Sequence, residues 1–513
     1  VPKDTAVIRL DGKYITPGLV DGHIHFFQSG GLYTRPDAID LRHRRPYDEH
    51  IEKLRGNVDE VFRRYLRCGV TTVIDTGGPF WSFEVRKKAR RSSHAPNVFV
   101  AGPLIASYSP KELSHEDQAI IRVDSRKEAV SLVRKQAAKK TDLIKVWYVV
   151  SKKLGLGLEE FWPVYEAVVS EARRRDLPVW VHATELETAR RAVKGGADVL
   201  VHMVRDKPVD ASFISQVKKR GVIVIPTLWV FQSYAAVFTK QLDLLAQEHL
   251  MGDPHIIGTL YDMHELSPKE LGPRQKKLLA ANKPIEPSPT LLRNLKKLHD
   301  AGVTIALGTD AGNIGVLHGP SVFHEMLLMS KAGLTNHEIL VAATLNGAKL
   351  LGNEKRLGSV DAGKIADLVV LEEDPLKDIL NTAKIHMVIK DGNVHYPQKL
   401  IPRTPESLAQ LQLNAYNARD IEVFLEAYAP DVEAYAHPDE LLFKGKEAMR
   451  RRYAAFFNRA KNLHCRLKNR MIMGDTVIDH EEVTGIPGKE RVRAIAIYRI
   501  KNRLIQKIWF IKP

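Results

Sequence analysis

The chain has 513 residues, of which 44% are hydrophobic and 27% charged, with a formal net charge of +16. That length exceeds one ordinary domain, and the apolar share is enough for a sizeable core. No window approaches the roughly 18 consecutive apolar residues that a bilayer-spanning helix needs, which excludes such a span. The excess of Lys and Arg lies in helix-like stretches with acidic neighbours, as in Arg126-Lys127-Glu128 and Glu171-Ala172-Arg173-Arg174-Arg175. These read as solvated helix faces, so no nucleic-acid partner is expected. Cys68 and Cys465 stand far apart and form no metal-type or redox-type spacing. The chain opens at Val1 without a Met or an apolar leader. The N-terminus therefore reads as incomplete, and the compartment, cytoplasmic or exported, stays open.

At the front, Ala6–Leu10, Asp11-Gly12 and Lys13–Ile15 predict a short hairpin with a Gly turn. From about residue 17 to 350, short β-branched runs alternate with amphipathic stretches. The runs are Leu19–His25, Thr71–Asp75, Val98–Ala101, Leu143–Val149, Val179–His182, Val199–His202, Val222–Thr227 and Thr304–Asp310. Between them lie helical spacings such as Val58-Val61-Phe62-Tyr65-Leu66, several stopped by glycine, as at Cys68-Gly69 and Gly195-Gly196. Eight such units predict parallel strands closed into a (β/α)8 barrel. The stretch from Phe231 to Pro289, rich in breakers, reads as a helical insertion after the seventh strand and a candidate lid. Ala366–Leu371 and Ile385–Lys390 predict further strands, which with the front piece make a small β domain from both flanks.

Beyond the Pro-rich segment 396–405 the pattern changes. Helical stretches (Leu408–Tyr416, Ile421–Tyr428, Ala448–Phe457) precede alternating strands at Thr476–Glu482, Arg491–Tyr498 and Leu504–Phe510. The expected organisation is a small β domain from residues 1–16 and 351–400, a barrel over 17–350, and an independent α+β domain over 403–513. The fold class is thus α/β: a (β/α)8 TIM barrel with a small β-sandwich from both flanks, plus a C-terminal α+β cone domain. There is no internal repeat and no low-complexity tract.

Residues at i and i+2 of a strand point to one side, so His23 and His25 can bind one ion together where barrel active sites lie. His182, His202 and Asp310 each end one of the apolar runs, and Lys145 sits inside another, where an unpaired ammonium is costly. All six map to one rim. Trp147, Tyr148, Arg205, Trp229 and His318 follow strands on the same rim and are candidate substrate contacts. Arg205 admits two readings, a partner for a substrate carboxylate or a salt bridge with Asp206 or a neighbour. Trp147 and Trp229 either line an aromatic pocket or pack the barrel mouth.

The segment Tyr14-Ile15-Thr16-Pro17-Gly18-Leu19-Val20-Asp21-Gly22-His23-Ile24-His25 resembles the opening motif of the amidohydrolase superfamily. Gly69–Asp75, Gly308–Gly312, His318–Ser321, Ala342–Ala348 and Gly358–Val369 are similar to its imidazolonepropionase- and prolidase-like branch. The resemblance runs to about residue 396, with a front part shorter than family chains usually carry. It implies two divalent ions, most often zinc. His23, His25 and Asp310 would hold one ion, His182 and His202 the other, and Lys145 would bridge them as a carboxylated lysine. The segment Trp147–Ser151 departs from the Gly-rich continuation of many relatives, and some members hold a single metal without the modified lysine. The implied reaction is attack of a metal-activated hydroxide on an amide, peptide, ester or carbamate-type carbonyl, with Asp310 moving the proton.

Ala415–Asp420, Phe424–Val432, Phe443-Lys444-Gly445 and Ile508-Trp509-Phe510 resemble the nuclear-transport-factor-two-like, or steroid-isomerase-like, cone fold, which includes SnoaL-like domains. Asp431, His437, Asp479 and His480 are candidates to line a cone pocket, and a structural or dimerising role is the favoured reading. The expected protein is a homo-oligomeric, dipeptidase- or amidase-like hydrolase of small molecules. Its alternatives are a mononuclear deaminase or cyclic-amide hydrolase on the same barrel, or a small-molecule binding module centred on the cone.

Overall fold

Strand β1 (Tyr14–Pro17) precedes β2 (Leu19–Ile24) and β3 (Val70–Asp75), and the latter two are buried at every position. Uninterrupted burial marks parallel strands covered on both faces. In the computed structural model, which describes residues 7–151 and 155–511, β3 pairs in parallel with β2 on one side and with β4 (Asn97–Val100) on the other. The chain continues through two three-residue strands, β5 (Leu104–Ala106) and β6 (Ile120–Arg122), to β7 (Ile144–Trp147). A parallel ladder then joins β7, β8 (Val179–His182), β9 (Val199–Val201) and β10 (Ile223–Ile225). Single bridges complete the ring: Ala101 to Leu143 between β4 and β7, Val224 to Ile305, and Ile24 to Ala311. Ile74, Ala101, Leu143, Trp180, Val201, Ile225 and Ala306 fill the interior as one apolar cluster.

The eighth predicted strand, Thr304–Asp310, is not a regular ladder. Ala306 N–H donates to the Val224 carbonyl, but Leu307 N–H turns to the carbonyl of Ala342, and Asp310 is left-handed at φ 65°. β5 and β6 have no counterpart in the sequence reading. Helix Val58–Arg67 buries Val58, Phe62, Tyr65 and Leu66, the spacing anticipated from sequence. It stops before Gly69, which at φ 74° adopts the left-handed turn that ends a helix cheaply only without a Cβ.

The flanks form a four-stranded antiparallel sheet ordered β1, β11 (Leu368–Leu371), β12 (Ile385–Lys390), β13 (Asn393–His395). The expected front hairpin is absent among the described residues. Ala6 lies outside them, residues 7–10 carry no strand, and β1 pairs with β11 instead. Lys13 N–H closes a turn on the Leu10 carbonyl, so the chain enters β1 without a partner strand before it.

Chain contacts divide the molecule into one unit of residues up to 29, 35–232 and 286–401, and a second of 30–34, 233–285 and the chain from 402 onward. The candidate lid therefore belongs to the second unit. Its helix Pro254–Tyr261 packs on helix Pro405–Ala418, where Asn414 Nδ2 donates to the Pro254 carbonyl at 2.7 Å. Thr404 caps the latter helix by accepting from Ser407 N–H.

The sheet of the second unit holds β14 (Tyr428–Ala436), β15 (Glu440–Lys444), β16 (His464–Met473), β17 (Thr476–Thr484), β18 (Val492–Lys501) and β19 (Leu504–Ile511). Their spatial order is β15-β14-β19-β18-β17-β16. β14 to β16 escaped the sequence reading: buried and exposed positions do not alternate regularly along them as they do along β17 and β18, so the period of two that reveals a strand is missing. Helices Ile421–Leu425 and Lys446–Arg459 join Pro405–Ala418 around an apolar core with the inner sheet face. Asp479 lies on that inner face, gripped by Arg470 through two 2.7 Å bonds, whereas His480 points outward and Asp431 and His437 are exposed. The four candidates for a cone pocket are thus not gathered, since adjacent strand residues face opposite ways.

Glu481, also inside, accepts from the Tyr498 hydroxyl at 3.1 Å, and Gln412 Nε2 donates to that hydroxyl at 2.9 Å. Burial pushes the Glu481 carboxyl up to about 8, with Asp479 adding to the rise. Its folded value lies above the unfolded value of 4.5, so the folded state holds the proton more tightly, and stability falls as pH rises from about 4.5 through about 8. Glu481→Gln is expected to flatten that decline, measured by urea denaturation at pH 5, 7 and 8.5.

Candidate metal centre

His23 is the middle member of the inward-facing series Asp21, His23, His25 that runs along and just past the first barrel strand. Closure of the ring brings Asp310 against it, because Asp310 N–H donates to the His23 carbonyl at 2.7 Å and His25 N–H to the Ala311 carbonyl at 2.8 Å. His23 Nε2 then stands 3.2 Å from His25 Nε2, and Asp310 Oδ1 lies 3.4 Å and 3.2 Å from these nitrogens. All three side chains are buried, and they form the one cluster of metal-type donors among the described residues.

His25 Nδ1 bonds the Gly77 carbonyl at 2.7 Å, which requires the proton on Nδ1 and leaves the Nε2 lone pair for the cluster. His202 Nδ1 bonds the Thr227 hydroxyl at 2.6 Å. The His202 ring lies 4.4 Å from that of His182 and 5.1 Å from that of His23. Lys145, in β7, is 1% exposed, and its ammonium has no hydrogen-bond partner. Burial pushes this amine down to about 7, opposed by the charge of Asp310. Burial holds His23, His182 and His202 well below the ordinary histidine value, with Lys145 adding to the effect on each. Neutral imidazoles and a carboxylate are a donor set that fits a divalent cation, and the orphaned Lys145 amine beside them is the feature a purely structural core would not keep.

His202, Thr227 and Asp310 are non-glycine residues at positive φ (76°, 44° and 65°) on this rim. Such conformations cost energy and collect where function needs a side chain re-aimed. No composition signal announces them. Asp21 was also passed over, although the period of two places it beside His23. Fully buried, it accepts from Thr309 N–H at 3.0 Å, the Thr309 hydroxyl at 2.7 Å and His23 N–H at 3.3 Å. It thereby ties the first strand to the eighth. Asp75, ending β3, places Oδ1 4.0 Å from His25 Nδ1, and burial raises its carboxyl to about 6.

The five candidate substrate contacts separate. The Trp147 ring lies 5.9 Å from His182, edge on. Arg205 is half exposed, sits 5.3 Å above the ring of Phe231, and that ring is 5.8 Å from His202. Tyr148, one residue past Trp147, points away, and its hydroxyl donates to the Leu158 carbonyl. Trp229 stacks on His324 at 3.6 Å and donates from Nε1 to the Gly315 carbonyl. His318 donates from Nε2 to the Gln28 carbonyl and accepts at Nδ1 from the Tyr65 hydroxyl, each at 2.8 Å. These last three are committed to packing and hydrogen bonds within the barrel unit.

Barrel, rim cluster and paired flanking strands agree with the comparisons to known proteins. The chain belongs to the amidohydrolase family, whose model matches residues 14–395, and is a hydrolase of the class acting on C–N bonds. Residues 409–508 match the SnoaL-like domain. Among individual proteins it is similar to ochratoxinase of Aspergillus niger, 25% identical over 71% of each chain. It is also similar to imidazolonepropionase of Shouchella clausii, 22% identical over 71% of this chain and 72% of that one. The crystal structure of a Xaa-Pro dipeptidase with bound methionine in the active site superposes with a TM-score of 0.56 at 24% identity, covering 75% of this chain and 87% of the other.

Removing the Asp21 carboxylate leaves buried donors of Thr309 and His23 unpaired, at about 1–3 kcal/mol for a lost partner. Asp21→Ala is therefore expected to lower unfolding free energy by about 3 kcal/mol in urea titrations, and Asp21→Asn, which keeps one acceptor, by less.

Proposed function

We propose that this chain is a metal-dependent amide hydrolase of small molecules in which His23, His25 and Asp310 hold one divalent ion, zinc by the chemistry of the donors. His182 and His202 hold a second, and Lys145, carboxylated on Nζ, lies between the two sets. The observation that carries this reading is the approach of two imidazole nitrogens and a carboxylate oxygen to 3.2–3.4 Å in a buried rim. The partnerless Lys145 amine supports the second half.

Bound ions would supply Lewis acidity, polarising a scissile carbonyl and making water acidic enough to attack at neutral pH. The protein groups do the rest. The Gly77 carbonyl and the Thr227 hydroxyl hold the rings of His25 and His202 in orientation. Asp310, aimed inward by its left-handed backbone, accepts the proton of the attacking water and returns it to the leaving nitrogen. Carboxylation of Lys145 joins its neutral amine to carbon dioxide and releases one proton. A buried cation is thereby exchanged for an anionic oxygen donor, which removes the desolvation cost of the ammonium. Burial, by lowering the amine to about 7, raises the population of the reactive neutral form.

Metal analysis tests the binuclear reading: near two ions per chain in the wild type, falling to one or fewer in Lys145→Ala. A wild type holding one ion favours the mononuclear deaminase or cyclic-amide hydrolase, to which the three-donor cluster alone corresponds. Ochratoxinase, imidazolonepropionase and Xaa-Pro dipeptidase among the relatives direct the activity screen to N-acyl amino acids, dipeptides and cyclic amides, with lactones, aryl esters and carbamates beside them.

Arg205 is assigned to a substrate carboxylate, since it stands over Phe231 beside His202 with Glu185 no nearer than 3.9 Å. Arg205→Ala is expected to raise KM about tenfold or more for amides bearing a free carboxylate, the scale of a charged hydrogen bond. KM for neutral amides is expected to stay unchanged in the same steady-state assays.

A further inference from the structure

Thr227 is a β-branched residue at φ 44°, a conformation such side chains rarely adopt and one that persists only where neighbours over-determine it. Its hydroxyl is the group that meets His202 Nδ1 at 2.6 Å. The next two residues, Leu228 and Trp229, open the helix Leu228–Phe238, where N–H groups have no partner within the helix itself. Both donate to a single side chain: Leu228 N–H to Glu325 Oε1 at 2.7 Å, and Trp229 N–H to Glu325 Oε2 at 3.0 Å. Glu325 stands in a different helix, Ser321–Lys331, and is fully buried.

A threonine just before a helix ordinarily turns its own oxygen onto the first free amides. Here that oxygen is given to His202, and a carboxyl from a distant helix does the capping in its place. Burying a carboxyl is a costly substitute for a local cap, so its position calls for a reason beyond helix stability. Burial raises the Glu325 carboxyl to about 8, with the charges of Asp21 and Asp310 adding to the rise, which places it within electrostatic reach of the rim. The Trp229 ring holds the same turn from its other side, stacked on His324 at 3.6 Å and donating from Nε1 to the Gly315 carbonyl at 3.0 Å. Phe231, in the first turn of the same helix, brings its ring within 5.8 Å of His202.

We propose that Glu325 is a positioning residue for His202, acting through Thr227. By anchoring the amides of Leu228 and Trp229 it keeps the strained Thr227 hydroxyl on His202 Nδ1, so that Nε2 is the lone pair left for an ion. The inference rests on the assignment of His182 and His202 to a second ion. Its physical content is that the geometry of one ligand is set from two residues away, by a side chain that only sequence-distant packing brings to the turn.

Zinc titration of the metal-free full chain against a chromogenic chelator tests it, with hydrogen exchange of the peptide spanning 226–232 as a measurement independent of metal. Glu325→Gln keeps the shape and one acceptor. It is expected to weaken the ion at His182 and His202 about tenfold or more and to leave the ion at His23, His25 and Asp310 unchanged. Exchange in the peptide is expected to speed about tenfold, the scale of one lost buried bond. Thr227→Val, which removes the hydroxyl alone, is expected to weaken the same ion comparably. Adding Glu325→Gln to it is then expected to cost about twofold or less, because both changes act along one path. If the Gln variant does not fold, Glu325→Asp, with a reach shorter by one methylene, carries the same expectations. Two ions held as tightly in the folded variant as in the wild type overturn the inference, as does a fully additive double variant. A wild type that binds one ion overturns the second-ion assignment and this inference with it, so wild-type stoichiometry tells the two failures apart.

Discussion

The seam between the first and eighth barrel segments is where the site is made. Eight short parallel segments leave hydrogen-bonding groups unmet at their ends unless the ring closes, and a buried unmet group costs more than a typical bond returns. Here closure relies on few contacts: Asp310 N–H to the His23 carbonyl, His25 N–H to that of Ala311, and Gly22 N–H to that of Leu307. Asp21 adds its three bonds from the same seam. Because the bonds join the backbones of the donor residues themselves, closing the barrel and assembling the cluster are one event.

Burial then sets the chemistry of the rim. The same loss of water that stabilises the apolar interior drives Lys145 and the imidazoles toward their neutral forms. Neutral nitrogen is what a cation ligand requires, and a neutral amine is what carbon dioxide requires. The orienting partners are simple groups, a backbone carbonyl from Gly77 and a hydroxyl from Thr227. Trp147 stands edge on to His182, and Arg205 lies over Phe231, whose ring neighbours His202.

The second unit follows different rules. Its sheet is antiparallel over most of its width, so each strand separates an inner from an outer face, and the inner face carries both the core and a bonded polar set. On that face Arg470 pairs with Asp479, and Tyr498 with Glu481. Asp479 and Glu481 are thereby spent on these partners.

The sequence by itself determined the barrel class, the helix face of Val58–Arg67, the inward pair His23 and His25, and the placement of Lys145, His182, His202 and Asp310 on one rim. Period-two and period-3.6 patterns are local properties, and strand ends in a parallel barrel all point one way. It did not reveal β14 to β16, whose burial does not alternate, nor that the insertion 233–285 joins the C-terminal domain. It anticipated a small sheet built from both flanks, but with a front hairpin where β1 instead pairs directly with β11, more than 350 residues later. Only the tertiary structure decided which rim residues turn inward. Tyr148, Trp229 and His318 share the rim by sequence position, yet each satisfies its polar atoms elsewhere, and hydrogen-bond partners distant in the chain leave no trace in local spacing. The approach of His23, His25 and Asp310 belongs to the same class, because it depends on a ring closing across 284 residues of intervening chain between His25 and Asp310.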